Sequence, residues 1–295
     1  MRFFLKRVFL FLSIFVSFFL LNVLVQKNFL YDKFFFKIPK DKVNLIVGHS
    51  HVVYGYNTEY ISNSVNVGLS GESYFYNYFK TKKILESNPH IKKVFVEYTN
   101  NQIGIGMNDW IWGDKYLQKH LKMYFFLMDK ESLNLIYTKN RQGFFTACSK
   151  GLFDNLHNVF KSRNILDGSI GGYLKSNENN FNKFSESNKK LSKKSNAKYS
   201  VSYSNLYYLE KIVKLCKKKN VKCYFVRTPM HKSLLIKNSE LVYKKIRLSK
   251  FQAIPFLDFK DFYLPNSCFL DKEHLNTKGA KIYSKFFNDT IQKLK

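Results

Sequence analysis

The chain has 295 residues and carries 49 basic against 21 acidic side chains, a net charge of +28. Hydrophobic residues make up 45% and aromatic ones 18%, enough for a sizeable core and too many for a wholly disordered chain. Five prolines, 13 glycines and 4 cysteines exclude a collagen-like chain and a disulfide scaffold.

Arg2, Lys6 and Arg7 precede an uncharged run from Val8 to Val25. At ~1.5 Å per residue this run spans most of a ~30 Å hydrocarbon core. It is longer than the core of a secretory signal, and neither a small-x-small cleavage site nor a lipobox cysteine follows it. Residues 1–27 are therefore expected to be an uncleaved signal anchor with its N-terminus in the cytoplasm, and the rest of the chain to lie outside the cytoplasmic membrane. A cleaved signal peptide would leave the domain in the same compartment. Residues 28–42 follow as a juxtamembrane stalk, and 43–295 as one domain.

Within that domain Val43 to Val47 (VNLIV) is a short apolar run ending at Gly48, the pattern of a buried parallel strand. Ser64 to Val67 predicts a second strand, leading into Gly68 and Gly71. Ser73 to Glu86 predicts a helix with Phe75, Tyr78, Phe79 and Leu85 on one side. Val94 to Tyr98 (VFVEY) is a third strand. An insertion over about 104–200 follows: Trp110 to Phe160 is expected to be helical, and the polar stretch from Lys175 to Ser200 to be a mobile surface loop. Tyr203 to Lys219 predicts a helix with Leu206, Leu209, Val213 and Cys216 on its apolar stripe, ended by Asn220. Val221 to Val226 is a fourth strand and Phe256 to Phe259 a fifth. Thr277 is expected to cap a final helix. Short buried strands alternating with helices predict an α/β fold with a parallel sheet, whose functional groups lie at the carboxyl ends of the strands.

Four clusters carry candidate chemistry. Gly48-His49-Ser50-His51 places a serine after a buried strand and at a helix entrance, where its N–H points at developing negative charge. Asn66-Val67-Gly68-Leu69-Ser70-Gly71 allows close backbone approach at a strand-to-helix turn. Thr99-Asn100-Asn101 offers side-chain amides as hydrogen-bond donors. Asp271-Lys272-Glu273-His274 sets a carboxylate three residues before an imidazole, so that one ring nitrogen is held and the other is left as a base. Each has an ordinary alternative as a cap, turn or loop residue. His49 and His51 flank the serine but point apart if extended, and no metal site is expected. Cys148, Cys216, Cys223 and Cys268 show no metal-site spacing; buried free thiols or a single disulfide fit them. Lysine outweighs arginine and residue usage is that of AT-rich coding, so the charge reads as a lysine-rich surface. No cofactor is expected, and nucleic acid is not an expected partner.

Taken in order, these clusters resemble the SGNH (GDSL-like) hydrolase superfamily over roughly residues 43–103 and 220–290. NVGLSGES looks like the family's second block and DKEHLNTKGA like its last. Two positions depart from the pattern: His49 stands where the family has aspartate, and Tyr98 where it has glycine. The resemblance implies a three-layer α/β/α fold. It implies Ser50 as nucleophile, His274 as base and Asp271 as its orienter. The oxyanion hole would comprise Ser50, Gly71 and Asn100, with Asn101 as the fallback. His49 and His231 are candidate substrate contacts, and Trp110 and Trp112 can stack a sugar ring. With the anchor, the resemblance implies an esterase or O-acyltransferase acting on an envelope glycan or other acylated polymer, alongside a multispanning membrane O-acyltransferase. The alternative is an inactive SGNH-like module that binds glycan or scaffolds a polysaccharide assembly system.

Overall fold

The computed structural model describes residues 1–31, 36–160, 171–176, 199–234 and 237–294. Five strands, β1 (Asn44–Val47), β2 (Ser64–Asn66), β3 (Lys93–Glu97), β4 (Lys222–Arg227) and β5 (Phe256–Asp258), form one sheet in the order β2-β1-β3-β4-β5. Every pairing is parallel. The expected parallel α/β sheet is present.

Alternation along the strands explains why both faces are covered. Leu45, Val47, Val94, Val96 and Phe225 point into one core, and Ile46, Phe95 and Val226 into the other. Each such fully buried aliphatic or aromatic side chain contributes ~1.5–3 kcal/mol. The first core is covered by α3 (Tyr74–Ser87) and α9 (Tyr203–Lys218), the second by α11 (Thr277–Gln292).

The described helices that precede α9 are α1 (Arg2–Tyr31), α2 (Ser50–Gly55), α3, α4 (Asn100–Ile103), α5 (Met107–Trp112), α6 (Asp114–Tyr124), α7 (Lys130–Lys139) and α8 (Arg141–Phe160); α10 (Lys237–Lys250) lies between β4 and β5. The stretch expected to be helical from Trp110 is thus divided into several helices. Its apolar residues Ile111, Leu117, Leu121, Tyr124 and Ile136 belong to the main core, so these helices are packed into the domain. The expected surface loop falls largely on 177–198, outside the described residues.

Several local details differ from the sequence pattern. The stripe of α9 is Leu206, Leu209, Ile212 and Cys216, with Val213 only half-buried. Asn220 ends that stretch in the left-handed region at φ 55°. The cap of α11 is Asn276, whose side chain accepts from the Gly279 N–H at 3.1 Å; Thr277 is the first helical residue. Phe36 and Ile38, placed in the stalk by composition, are buried in the core. All four cysteines are free. The segment Arg2–Val25 of α1 is long and apolar enough to span a membrane.

Candidate active site

The strand order reverses direction on either side of β1, between β2 and β3, and open parallel sheets bind ligands at such a point beyond the strand ends. β1 delivers Gly48 to Ser50 there, and β3 delivers Thr99 to Asn101. The C-terminal turn before α11 brings in Asp271 and His274.

Ser50 Oγ lies 2.8 Å from His274 Nε2, across 224 residues of sequence. His274 Nδ1 is 2.8 Å from Asp271 Oδ2. Asp271 Oδ1 also accepts the backbone N–H groups of Glu273 (2.7 Å) and His274 (2.8 Å), so the turn fixes the carboxylate before the ring reaches it. Burial works against the charged ring of His274, but the hydrogen bond and charge of Asp271 outweigh it and raise the imidazole above its ordinary value. Burial likewise opposes the charged form of Asp271, and the His274 ring overcomes it and lowers the carboxyl. Both shifts stabilise the imidazolium–carboxylate pair that forms once Nε2 has taken the serine proton; in the neutral ring Asp271 holds the proton on Nδ1 and leaves Nε2 free to accept.

A second imidazole meets the same hydroxyl. His49 Nδ1 is 2.9 Å from Ser50 Oγ. Its Nε2 faces Glu97 Oε1 at 3.0 Å and Asn101 Oδ1 at 3.2 Å. Glu97 is itself fully buried and accepts the His49 N–H at 2.7 Å and the Thr99 hydroxyl at 3.2 Å, which compensates the loss of water. Gly48 makes room for this: a Cβ there would run into the Glu97 carboxylate and Val52. His49, a candidate substrate contact, is 0% exposed and spends both ring nitrogens inside the protein. It supports Ser50 and does not reach outward.

The oxyanion candidates separate. Gly71 has φ 80°, which a side chain tolerates poorly, and it packs beneath Tyr116. Among the described residues, the Ser50 and Gly71 N–H groups donate to no protein acceptor. Asn100 is different. Its Oδ1 accepts from Arg227 Nη1 at 3.1 Å and its amide donates to Glu240 Oε2 at 2.9 Å, so its side chain is engaged by a buried ion network although the residue also lines the cavity beside Asn101. Arg227, completely buried, pairs with Glu240 (3.1 Å) and Asp258 (2.9 Å) and draws Asn100 with it. Asn101 is joined to the serine through His49: its Oδ1 is used by Thr99 (2.6 Å) and by His49 Nε2 (3.2 Å), which leaves its amide N–H₂ for the cavity it lines.

That cavity measures about 200 Å³ and is bounded by His51, Asn101, Tyr199, Met230, Leu234 and Glu273 among others. His51 Nδ1 bonds Thr228 Oγ1 at 3.2 Å, and its buried Nε2 has no hydrogen-bond partner among the described residues; Glu273 Oε2 is 3.9 Å away. Burial first, then the neighbouring His274, His49 and Arg227, hold His51 well below its usual value and hence neutral. Trp110 meets the His49 ring edge-on at 5.5 Å and stacks on Tyr116 at 5.2 Å, forming an aromatic wall between His49 and Gly71. Trp112 packs against the core instead. His231 is buried, with Nδ1 on Ser233 (2.8 Å) and Nε2 on Asn266 (3.0 Å), so neither ring nitrogen is left for substrate.

His49, His51 and Glu97 place candidate ligand atoms within 4.8 Å of one another. His49 and Glu97 are already joined to one another, whereas the buried His51 Nε2 has no hydrogen-bond partner among the described residues. Sequence reasoning missed Glu97 and Arg227. A charged residue closing an otherwise apolar strand, as in KVFVE and KCYFVR, was the available signal.

A family model whose description names no function matches residues 174–295, a span that holds Asp271 and His274 but not Ser50. No curated protein matches the chain.

Proposed function

We propose that the chain is a membrane-tethered serine esterase or O-acyltransferase of SGNH type, acting on short acyl esters of an envelope glycan. The observation that carries this reading is the Ser50–His274–Asp271 chain of hydrogen bonds, closed at 2.8 Å on each side of the imidazole. In this reading Ser50 Oγ attacks the ester carbonyl carbon while its proton passes to His274 Nε2. The N–H groups of Ser50 and Gly71 and the amide of Asn101 hold the oxyanion. His274 then returns the proton to the departing alkoxide, leaving an acyl-serine. Water or a sugar hydroxyl attacks that ester, gives its proton to His274, and releases Ser50 with a free acid or a new ester as product. The His49–Glu97 pair fixes the rotamer of Ser50 from the opposite side.

Two features support the substrate class. A cavity of about 200 Å³ beside Asn101 suits an acetyl or similarly short acyl group. The Trp110–Tyr116 wall offers a ring face on which a sugar stacks. The anchor reading of α1 places the domain at the outer face of the cytoplasmic membrane, where acylated polymers are found.

The test is labelling of the full chain in detergent with a serine-directed fluorophosphonate, together with turnover of a chromogenic acetyl ester. Label and turnover are expected, both lost in Ser50→Ala and strongly reduced in His274→Ala. A folded wild-type chain that neither labels nor turns over the ester overturns the assignment.

A further inference from the structure

The insertion helix α8 lies against α1, and together with α6 and the turn after it encloses an apolar groove of about 290 Å³. The groove is bounded by Phe19, Leu20 and Val23 of α1 and by Ala147, Gly151 and Leu152 of α8, among others. The spanning segment of α1 ends at Val25. At 1.5 Å per residue, Phe19 to Val23 therefore sit about 3–9 Å below that end of the segment. Whatever packs on them lies at the same depth.

α8 also exposes large apolar side chains outside the groove lining. Phe145 is 60% exposed and Phe153 74% exposed. Eight positions apart, they lie about 80° from one another around the helix, with the exposed Ser149 between them. Phe145 touches the rings of Tyr137 and Phe144 by its edge, yet most of both phenyl surfaces is left in water. At the depth set by α1 they meet hydrocarbon, the environment of helices that lie in the membrane interface with an apolar face sunk ~5–10 Å.

We propose that α8 is a monotopic membrane contact: Phe145 and Phe153 insert into the lipid leaflet on the domain's side of the bilayer. Lipid acyl chains complete the groove between α8 and α1. The occupant is bulk lipid, identified by the apolar lining and by continuity with the anchor. One consequence is that the domain does not swing freely on its stalk. The insertion, which also carries Trp110 and Tyr116, holds the Ser50 cleft at a fixed height over the membrane, favouring acyl donors and acceptors that are themselves membrane-bound.

This inference rests on α1 spanning the bilayer and is independent of the chemistry assigned to Ser50. The experiment uses the full chain carrying a protease site between α1 and β1, reconstituted in neutral phosphatidylcholine vesicles at high salt, which suppresses attraction between lysines and charged lipid. Before cleavage the chain floats with the vesicles; if it does not, the anchor reading fails and the inference with it. After cleavage the wild-type domain is expected to stay on the vesicles. The Phe145→Ser/Phe153→Ser domain is expected to be released, its partitioning lowered on the order of 100-fold by the loss of two buried phenyl rings. Both side chains are exposed, so folding is not at stake, and a far-ultraviolet spectrum confirms it. Release of the wild-type domain overturns the proposal. Retention of both domains overturns it as well, because the grip would then be on α1 alone.

Discussion

His49 Nδ1 lies 2.9 Å from the Oγ of its own neighbour, Ser50, on the side opposite His274. The serine hydroxyl has one proton and two imidazoles to offer it to, each backed by a carboxylate. In the proposed reaction only the His274–Asp271 pair is partly open to solvent and able to exchange protons. The His49–Glu97 pair is sealed in and acts by position. His49→Ala frees the Ser50 rotamer, and turnover of an acetyl ester is expected to fall about 10²-fold, the typical effect of a ~1 Å misplacement. Glu97→Gln keeps a hydrogen-bond acceptor toward Nε2 and should cost less. Steady-state kinetics with an unchanged melting profile separates positioning from unfolding.

The pH profile follows from the sign of the His274 shift. His274 must be neutral to accept the serine proton, and Asp271 raises its pKa above 6.5. Activity is therefore expected to rise through an inflection above pH 6.5, later than for an ordinary imidazole. Asp271→Asn should move the inflection downward and reduce kcat on the order of 10³–10⁴-fold. Stability follows the same pair. The His274 contribution is present below the unfolded imidazole value and lost as pH rises through the raised folded one. The Asp271 contribution is present above the unfolded carboxyl value and lost as pH falls through the lowered folded one.

Asn100 and Asn101 are adjacent in sequence, and the proposed reaction gives them different roles. Asn101→Ala is expected to lower kcat ~10²–10³-fold, the usual cost of one oxyanion donor. Asn100→Ala leaves Arg227 and Glu240 short of a partner. It is expected to lose ~1–3 kcal/mol of stability with little change in kcat. Turnover and urea denaturation of the two variants decide the assignment.

Glu72 and Lys80 form a fully buried ion pair, with the Tyr124 hydroxyl also donating to Glu72. Burial raises the Glu72 carboxyl and lowers the Lys80 ammonium, so each charge depends on the other. Lys80→Met strands the carboxylate and is expected to destabilise the fold by about 3–5 kcal/mol, whereas Glu72→Gln/Lys80→Met should recover most of that loss. Chemical denaturation measures both.

Ser50, His274 and Asp271 were legible before any coordinates because each sits at a marked place in the chain. Ser50 closes a buried strand, and the Asp-x-x-His turn opens the last helix. Short apolar runs located the five strands of the sheet, and period-3.6 stripes located α3, α9 and α11, since runs and stripes are local properties of the chain; α10 was not among the expected elements. The side-chain partners of His49 and Asn100 were not legible, for the opposite reason. Their orientation is set by Glu97 and by Arg227, partners from other strands, and one-dimensional spacing carries no information about which neighbouring strand supplies a counter-charge.

Sequence by itself determined the elements and the order in which the chemistry-bearing residues occur, because hydrophobic periodicity and turn chemistry act over a few residues. Tertiary structure alone decided that the hydroxyl meets two imidazoles, that the Asn100 side chain is held by Arg227 and Glu240 while Asn101 bonds His49, and that α8 runs beside α1. Each of these depends on groups far apart along the chain, joined only when strands pair in parallel and buried charges must find partners out of water.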